Sequence, residues 1–375
     1  MIRPFTINID QEVLDDMIRR IQQTRWPDTI VNSGWNYGAD LTYMKELAVY
    51  WQTTFDWRKT EMLINSYGNY IAEINGYDVH FMHIKGKGKK SIPLMISHGW
   101  PSSFIEMMKL IPLLTENKDL SFDLVIPSMM GFGFSEKITQ PGCNVSFMAD
   151  ILFMLMTELG YSTFGLQGGD FGAGVSSALA LKYPKHVLGL HLNYIPGNYR
   201  PVLANDEKFT EEEKLYFESE DLWYKMEGGY SHQQKNKPLT LAYGLNDSPV
   251  ALCAWIIEKM HGWSDCKGQI ESVFTKDELL SNVTLYWVTE TIHSSVRLYN
   301  ENSKTPLQLS KDSLIDIPVG IARFKFEEPF PPRKFIERGF NITHWSNFPE
   351  GGHFPAVEQP ELLAEDIFKF FKGIG

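Results

Sequence analysis

Up to about residue 76 the apolar positions recur at helical spacing and aromatic residues are dense. After Asp10, a capping residue type, Val13, Leu14, Met17, Ile18 and Ile21 fall on one face of a helix that Pro27 closes. The tryptophan- and tyrosine-rich "WNYGADLTYMKELAVYWQTTFDWRK" follows. Such an arm wraps a core better than it stands alone, so residues 1–76 are expected to form a helical extension. From Tyr77 the pattern changes. "YDVHFMHI", "IPLMISH", "FDLVIPS", "TFGLQ" and "VLGLHLN" read as strands, alternating with helices at "SFIEMMKLIPLL", near 145–159 and at "GAGVSSALALKY". This alternation predicts an α/β fold, a mostly parallel sheet with helices on both faces, whose ligands sit at the carboxyl ends of the strands. Residues 195–305 break the rhythm with helical, aromatic-rich sequence and the turn signals "EGGY" and "GLND". They are expected to be a helical lid inserted between two parts of one core, 77–194 and 306–375. The second part resumes with "IPVGIAR", a helix near "PPRKFIER", a strand at "THWSNF" and a last helix from Glu358.

Charge and composition narrow the function. With 375 residues the chain can bury a large core, and a net charge of -11 argues against nucleic acid as a partner. Three widely spaced cysteines, Cys143, Cys253 and Cys266, suit reduced thiols and a cytoplasmic setting better than a disulfide framework. "MIRPFTINID" has no apolar h-region, and the most hydrophobic run, "FMADILFMLMTELG", holds Asp150 and Glu158, so neither an export signal nor a membrane anchor is expected. There is no H-E-x-x-H and no Cys/His cluster at ligand spacing; His80 and His83 read as residues of an edge strand. "GDFGAG" lacks G-x-G-x-x-G, so no cofactor and no metal are expected. A homo-oligomer is compatible with the sequence.

The chemistry centres on "LQGGDFGAG", residues 166–174. Asp170 follows a strand and opens a helix, with glycines at 168 and 172, the context of a strained nucleophile turn; an ordinary helix-capping aspartate is the alternative. His353 lies in "EGGHFPAVEQP" after the last strand, where the base of an α/β-hydrolase arrangement falls. Glu327 and Glu328 stand between them in chain order, and either can orient the imidazole. "ISHGWP", 96–101, can lend a backbone N–H to an oxyanion hole, with a second from Phe171, while His98 reads as structural. A carboxylate attacking an ester would give a mixed anhydride more reactive than the substrate. Attack on an electrophilic sp3 carbon gives a stable alkyl ester that histidine-activated water can cleave, so epoxides and alkyl halides are the natural substrates. An opening epoxide also needs a proton, and Tyr230 and Tyr299 in the lid are candidate donors.

Taken together, "RPFTINID" through "RWPD", "W-x-Y-G" at 35–38, "HGWP" at 98–101, "PSMMGFGFS" at 127–135, "GGDFG" at 168–172, "GLNDSPVAL" at 244–252, "LYWVTETI" at 285–292 and "EGGHFPAVEQPELLAEDI" at 350–367 span nearly the whole chain. With these motifs the chain resembles the epoxide hydrolases of the microsomal, juvenile-hormone and fungal type. The resemblance implies an α/β-hydrolase fold with a lid and an N-terminal extension, and conversion of epoxides to vicinal diols without a cofactor. It implies Asp170 as nucleophile, His353 as base, Glu327 rather than Glu328 as acid because "PVGIARFKFE" matches the family's pattern, Tyr230 and Tyr299 as the ring-opening pair, and Trp100 with Phe171 as oxyanion-hole donors. Phe171 departs from the tryptophan common there, and the microsomal members' anchor has no counterpart, which suggests a soluble protein. An aromatic lid suits hydrophobic epoxides. A haloalkane or haloacetate dehalogenase, or a non-catalytic relative that binds a hydrophobic molecule, are the alternatives.

Overall fold

The computed structural model describes residues 1–374 except 198, 204–206, 306 and 310–312. Its strands are β1 (Ile2–Pro4), β2 (Asn69–Ile74), β3 (Tyr77–Ile84), β4 (Lys90–Ser97), β5 (Leu120–Pro127), β6 (Phe164–Gly168), β7 (Val187–Leu192), β8 (Arg200–Pro201), β9 (Gln308–Leu309), β10 (Ile315–Phe324) and β11 (Phe340–Phe348). Nine of them form one sheet in the order β1-β2-β3-β5-β4-β6-β7-β10-β11, and β8 pairs β9 separately. From β5 to β11 every pairing is parallel. β6, which leads to Asp170, is buried at every residue because helices cover both faces.

The N-terminal arm is not only helical, contrary to expectation. It supplies β1 and β2, which pair antiparallel with each other and with β3. β2 and β3 form a hairpin across Asn75 (φ 53°) and Gly76 (φ 83°), the left-handed pair that an Asn-Gly turn provides. The same hairpin moves β3 into the interior of the sheet, so His80 is no edge residue. It is fully buried, its ring within 2.8 Å of Ser128 Oγ and 3.2 Å of Asn69 Oδ1, and burial drops its pKa to about 3. His83 is partly buried against the Tyr161 hydroxyl at 2.9 Å. The first helix, Gln11–Gln22, buries Leu14, Met17 and Ile21, but Val13 is 37% exposed and Asp10 makes no side-chain cap.

The arm docks on the segment expected to be a lid. Trp51 is buried and donates from Nε1 to Thr284 Oγ1 at 3.0 Å, and Thr60 Oγ1 lies 2.7 Å from Ser281 Oγ. Both partners belong to the helix Lys276–Val288, which a Thr275–Glu278 capping box starts and which buries Leu279 through Trp287. Other helices between 195 and 305 are Glu211–Glu227, Gly229–Asn236, Pro238–Leu245, Pro249–Trp263 and Ile292–Ser303. The boundary expected at 306 lies outside the described residues. "SFIEMMKLIPLL" is a 3-10 turn, Phe104–Lys109, followed by a short helix, Leu110–Thr115, and the C-terminal helix begins at Pro360 after a single turn, Pro355–Glu358. Among the described residues no helix is long and apolar enough to cross a membrane, and no group of His, Cys, Asp and Glu could hold a metal ion.

Candidate active site

β6 ends at Gly168, Gly169 is extended, and Asp170 turns into the left-handed region (φ 48°) as the helix Asp170–Lys182 begins. A residue other than glycine costs about 1–3 kcal/mol in such a conformation and persists where the surroundings over-determine it. They do so here by close packing. A Cβ on Gly172 would lie 2.0 Å from the Ser97 carbonyl oxygen, and one on Gly99 would lie 2.3 Å from Asp170 Cβ. The helix therefore approaches the end of β4 at backbone contact distance. Gly172→Ala is expected to destabilise the fold by about 3 kcal/mol through overpacking and to displace the carboxylate. A thermal melt and an epoxide assay check this, and a variant with native stability and rate would refute it.

The two oxygens of Asp170 have different neighbours. Oδ1 accepts the Trp100 N–H at 2.8 Å, while Oδ2 lies 3.6 Å from His353 Nε2. His353 Nδ1 is 2.7 Å from Glu327 Oε2, completing an Asp170–His353–Glu327 line. Burial disfavours the charged imidazolium, but the Glu327 and Asp170 carboxylates outweigh it and hold the His353 pKa well above its ordinary value. Glu328 turns away: its side chain is 53% exposed and pairs with Arg323 at 2.8 Å, whereas the Glu327 side chain is 9% exposed. Among the described residues the Trp100 N–H is the backbone donor seen on Oδ1; the Phe171 N–H, the second donor expected from the sequence, makes no hydrogen bond to this carboxylate.

Loops hold the histidine. The His353 N–H donates to the Trp263 carbonyl at 2.9 Å, and the Phe326 N–H to that of Gly351 at 3.0 Å, tying the acid loop to the histidine loop. Glu358, which sequence reasoning passed over, accepts the N–H groups of Asp265, Gly352 and Phe354 at 2.8–2.9 Å. Burial nevertheless pushes its carboxyl up to about 7. His98 behaves as a strut: the Met129 N–H, which can only donate, reaches its Nε2 at 3.2 Å, so Nδ1 carries the proton given to the Gly99 carbonyl at 3.0 Å. Burial holds His98 at about 4, hence neutral.

A cavity of about 430 Å³ opens on Asp170 and is walled by Phe171, Tyr194, Tyr224, Tyr230 and Tyr299. Tyr230 stacks on Trp100 at 5.5 Å between centroids, and Tyr299 meets the Trp100 ring edge-on at 5.6 Å and the Phe171 ring at 4.7 Å. Burial and the nearby Asp170 charge raise both tyrosines well above their ordinary value, so each carries its proton at neutral pH. The Lys259 ammonium, another residue the sequence did not single out, sits 4.9 Å from the centre of the Tyr230 ring. Asp170 and the tyrosine pair singled out in the sequence thus line one cavity, while His353 meets Asp170 from outside its lining and Glu327 stands behind His353.

A carboxylate on a strand-to-helix elbow, a histidine facing it and an acid behind that histidine, on a mostly parallel sheet covered by helices, define an α/β-hydrolase. Residues 2–107 match the epoxide hydrolase N terminus and residues 92–249 the alpha/beta hydrolase fold. Epoxide hydrolase 1 of Oryctolagus cuniculus is 38% identical over 98% of this chain and 88% of its own. Juvenile hormone epoxide hydrolase 2 of Ctenocephalides felis is 35% identical over 99% and 85%. The chain belongs to the epoxide hydrolase family. Among solved structures, the Aspergillus niger epoxide hydrolase superposes with a TM-score of 0.88 at 28% identity, covering 100% of this chain and 97% of its own. The juvenile hormone epoxide hydrolase of the silkworm Bombyx mori gives 0.87 at 29% identity, covering 100% and 94%.

Proposed function

We propose that this protein hydrolyses hydrophobic epoxides to vicinal diols through a covalent ester on Asp170. The observation that carries the reading is the division of labour at that carboxylate: Oδ1 rests on the Trp100 N–H at 2.8 Å, and Oδ2 lies 3.6 Å from His353 Nε2. Oδ2 attacks a ring carbon, the carbon–oxygen bond breaks, and Tyr230 or Tyr299 gives its proton to the departing alkoxide. The new ester then has Cγ=Oδ1 as its carbonyl, already polarised by Trp100. Water adds to Cγ while His353 takes its proton, the charge collecting on Oδ1. Collapse breaks the bond between Cγ and the alkyl oxygen, which takes the proton from His353, and the acid proton left on Asp170 returns to the tyrosinate through solvent. The three free cysteines fit a reducing compartment, and we place the enzyme in the cytoplasm.

Single-turnover reaction in heavy-oxygen water, with enzyme in excess, tests this directly. The first diol should be unlabelled and the label should appear in the Asp170 carboxylate. A labelled first product from unlabelled protein would sink the covalent scheme. Tyr299→Phe and Tyr230→Phe should each slow alkylation about 10- to 100-fold and together about 10³-fold, since a positioned acid contributes about 10²–10⁴. Stopped-flow fluorescence checks this, and undiminished diol formation by the double variant would remove the tyrosines from the reaction. Dehalogenation stays as a second reading, because the indole N–H groups of Trp100 and Trp263 are buried without partners and a departing halide needs such donors. It requires halide release from alkyl halides, which the same preparation should lack.

A further inference from the structure

Behind Asp170, apart from the tyrosine-walled cavity, lies a chamber of about 10 Å³ bounded by Ser102, Glu106, Gln167, Asn193, His353 and Asp170 itself. It shares only Asp170 with that cavity. Such a volume is close to the lower limit for one water, and a water needs several polar partners. They are present: Gln167 Oε1 is buried without a partner, and Glu106 pairs with no basic side chain among the described residues. Ser102, Glu106 and Phe354 also border a groove of about 350 Å³ between the arm and the helices Pro249–Trp263 and Lys276–Val288, where Thr60, Met260 and Ser281 are among the walls. Glu106 therefore stands at the junction of groove and chamber.

We propose that this chamber holds the water that hydrolyses the alkyl-enzyme, that the water arrives through the arm-side groove, and that Glu106 is the positioning residue at the junction. The proposal rests on the ester mechanism set out above. Once the alkyl-enzyme has formed, its hydrophobic group occupies the cavity on the tyrosine side, so solvent reaching Cγ from the other side avoids displacing it. His353 borders the chamber and can take the proton of a water there. Burial pushes the Glu106 carboxyl up to about 7, against the Ser102 hydrogen bond and the His353 charge and with the help of Asp170 and Glu358. Across the groove the charged groups are Asp56, Lys59, Lys109, Asp277 and Glu278, Lys109 being 2.7 Å from Glu278. Esterification removes the Asp170 charge and with it one cause that raises Glu106, so Glu106 ionises more readily in the intermediate, and the charge His353 gains on taking the water's proton favours the Glu106 carboxylate further.

Stopped-flow kinetics of a styrene-type epoxide with wild type and Glu106→Gln separates the two steps. Alkylation should stay within about 3-fold of wild type, whereas hydrolysis should fall about 30- to 100-fold, with the alkyl-enzyme accumulating as an added mass. A limb below pH 7 in the wild-type hydrolysis rate should vanish in the variant. Thr60→Trp, which fills the groove without touching the reacting groups, should slow hydrolysis about 10-fold and spare alkylation. Hydrolysis at the wild-type rate in Glu106→Gln, or both steps falling together, overturns the role of Glu106; unchanged hydrolysis in Thr60→Trp overturns the route. Absence of any adduct in wild type and in His353→Gln overturns the ester mechanism itself and this proposal with it.

Discussion

Asp170→Asn is expected to lower kcat/KM for any epoxide substrate by about 10⁵-fold, or about 7 kcal/mol of transition-state stabilisation. A carboxamide has no anionic oxygen to attack a ring carbon, and its nitrogen lone pair is delocalised. The loss should be chemical and not structural. Asparagine is, with aspartate, among the residues that tolerate the left-handed conformation in which position 170 is held, and its side-chain oxygen can still accept the Trp100 N–H now made at 2.8 Å. The variant should therefore melt near the wild-type temperature. The same machinery that hydrolyses an ester can hydrolyse this amide: His353 lies on the Oδ2 side and Trp100 on the Oδ1 side, so activity should return over hours as asparagine reverts to aspartate. Intact-mass measurement alongside the assay distinguishes reversion from contamination, because recovery must follow the mass change. Prompt full turnover by freshly purified protein would count against a nucleophilic role.

How much of this was legible in the chain differs from residue to residue. Asp170 could be found because its neighbours, a short strand and paired glycines, are local and the turn they make is over-determined by backbone contact. The choice between Glu327 and Glu328 could not be made locally, since adjacent residues share the same pattern; it depended on family likeness, and in the structure the nearness of Arg323 to Glu328 separates them. β1 and β2 were missed for another reason. A three-residue strand carries no periodicity, and the Asn-Gly turn in "EINGYDV", the one available signal, was crossed by the expected boundary. His80 was misread because whether a strand is an edge depends on sheet order, a nonlocal property. Glu106 gave no sign at all: in "SFIEMMK" it reads as the solvated face of a helix, and only the placement of the arm and lid encloses it.

His353→Gln is expected to split the reaction instead of abolishing it at the start. Attack by Asp170 does not require a base, so the variant should still form the alkyl-enzyme, while hydrolysis slows about 10⁴-fold for want of a proton acceptor beside the ester. Glutamine retains a polar group toward Glu327, whose Oε2 now accepts from His353 Nδ1 at 2.7 Å, so that carboxylate is not left buried without a partner. Incubation with substrate should raise the intact mass by that of one epoxide, and peptide mapping should place it on Asp170. The wild type should show the same trapping as pH falls. His353 is held well above its ordinary value in part by the Asp170 charge, and esterification abolishes that charge, so the imidazole gives up its proton more readily in the intermediate than in the free enzyme. Hydrolysis should consequently persist to lower pH than the free-enzyme titration of His353 would allow, then fail as the imidazolium is retained. No adduct at any pH, with a substrate shown by displacement to bind, would remove both His353 as base and the ester as intermediate.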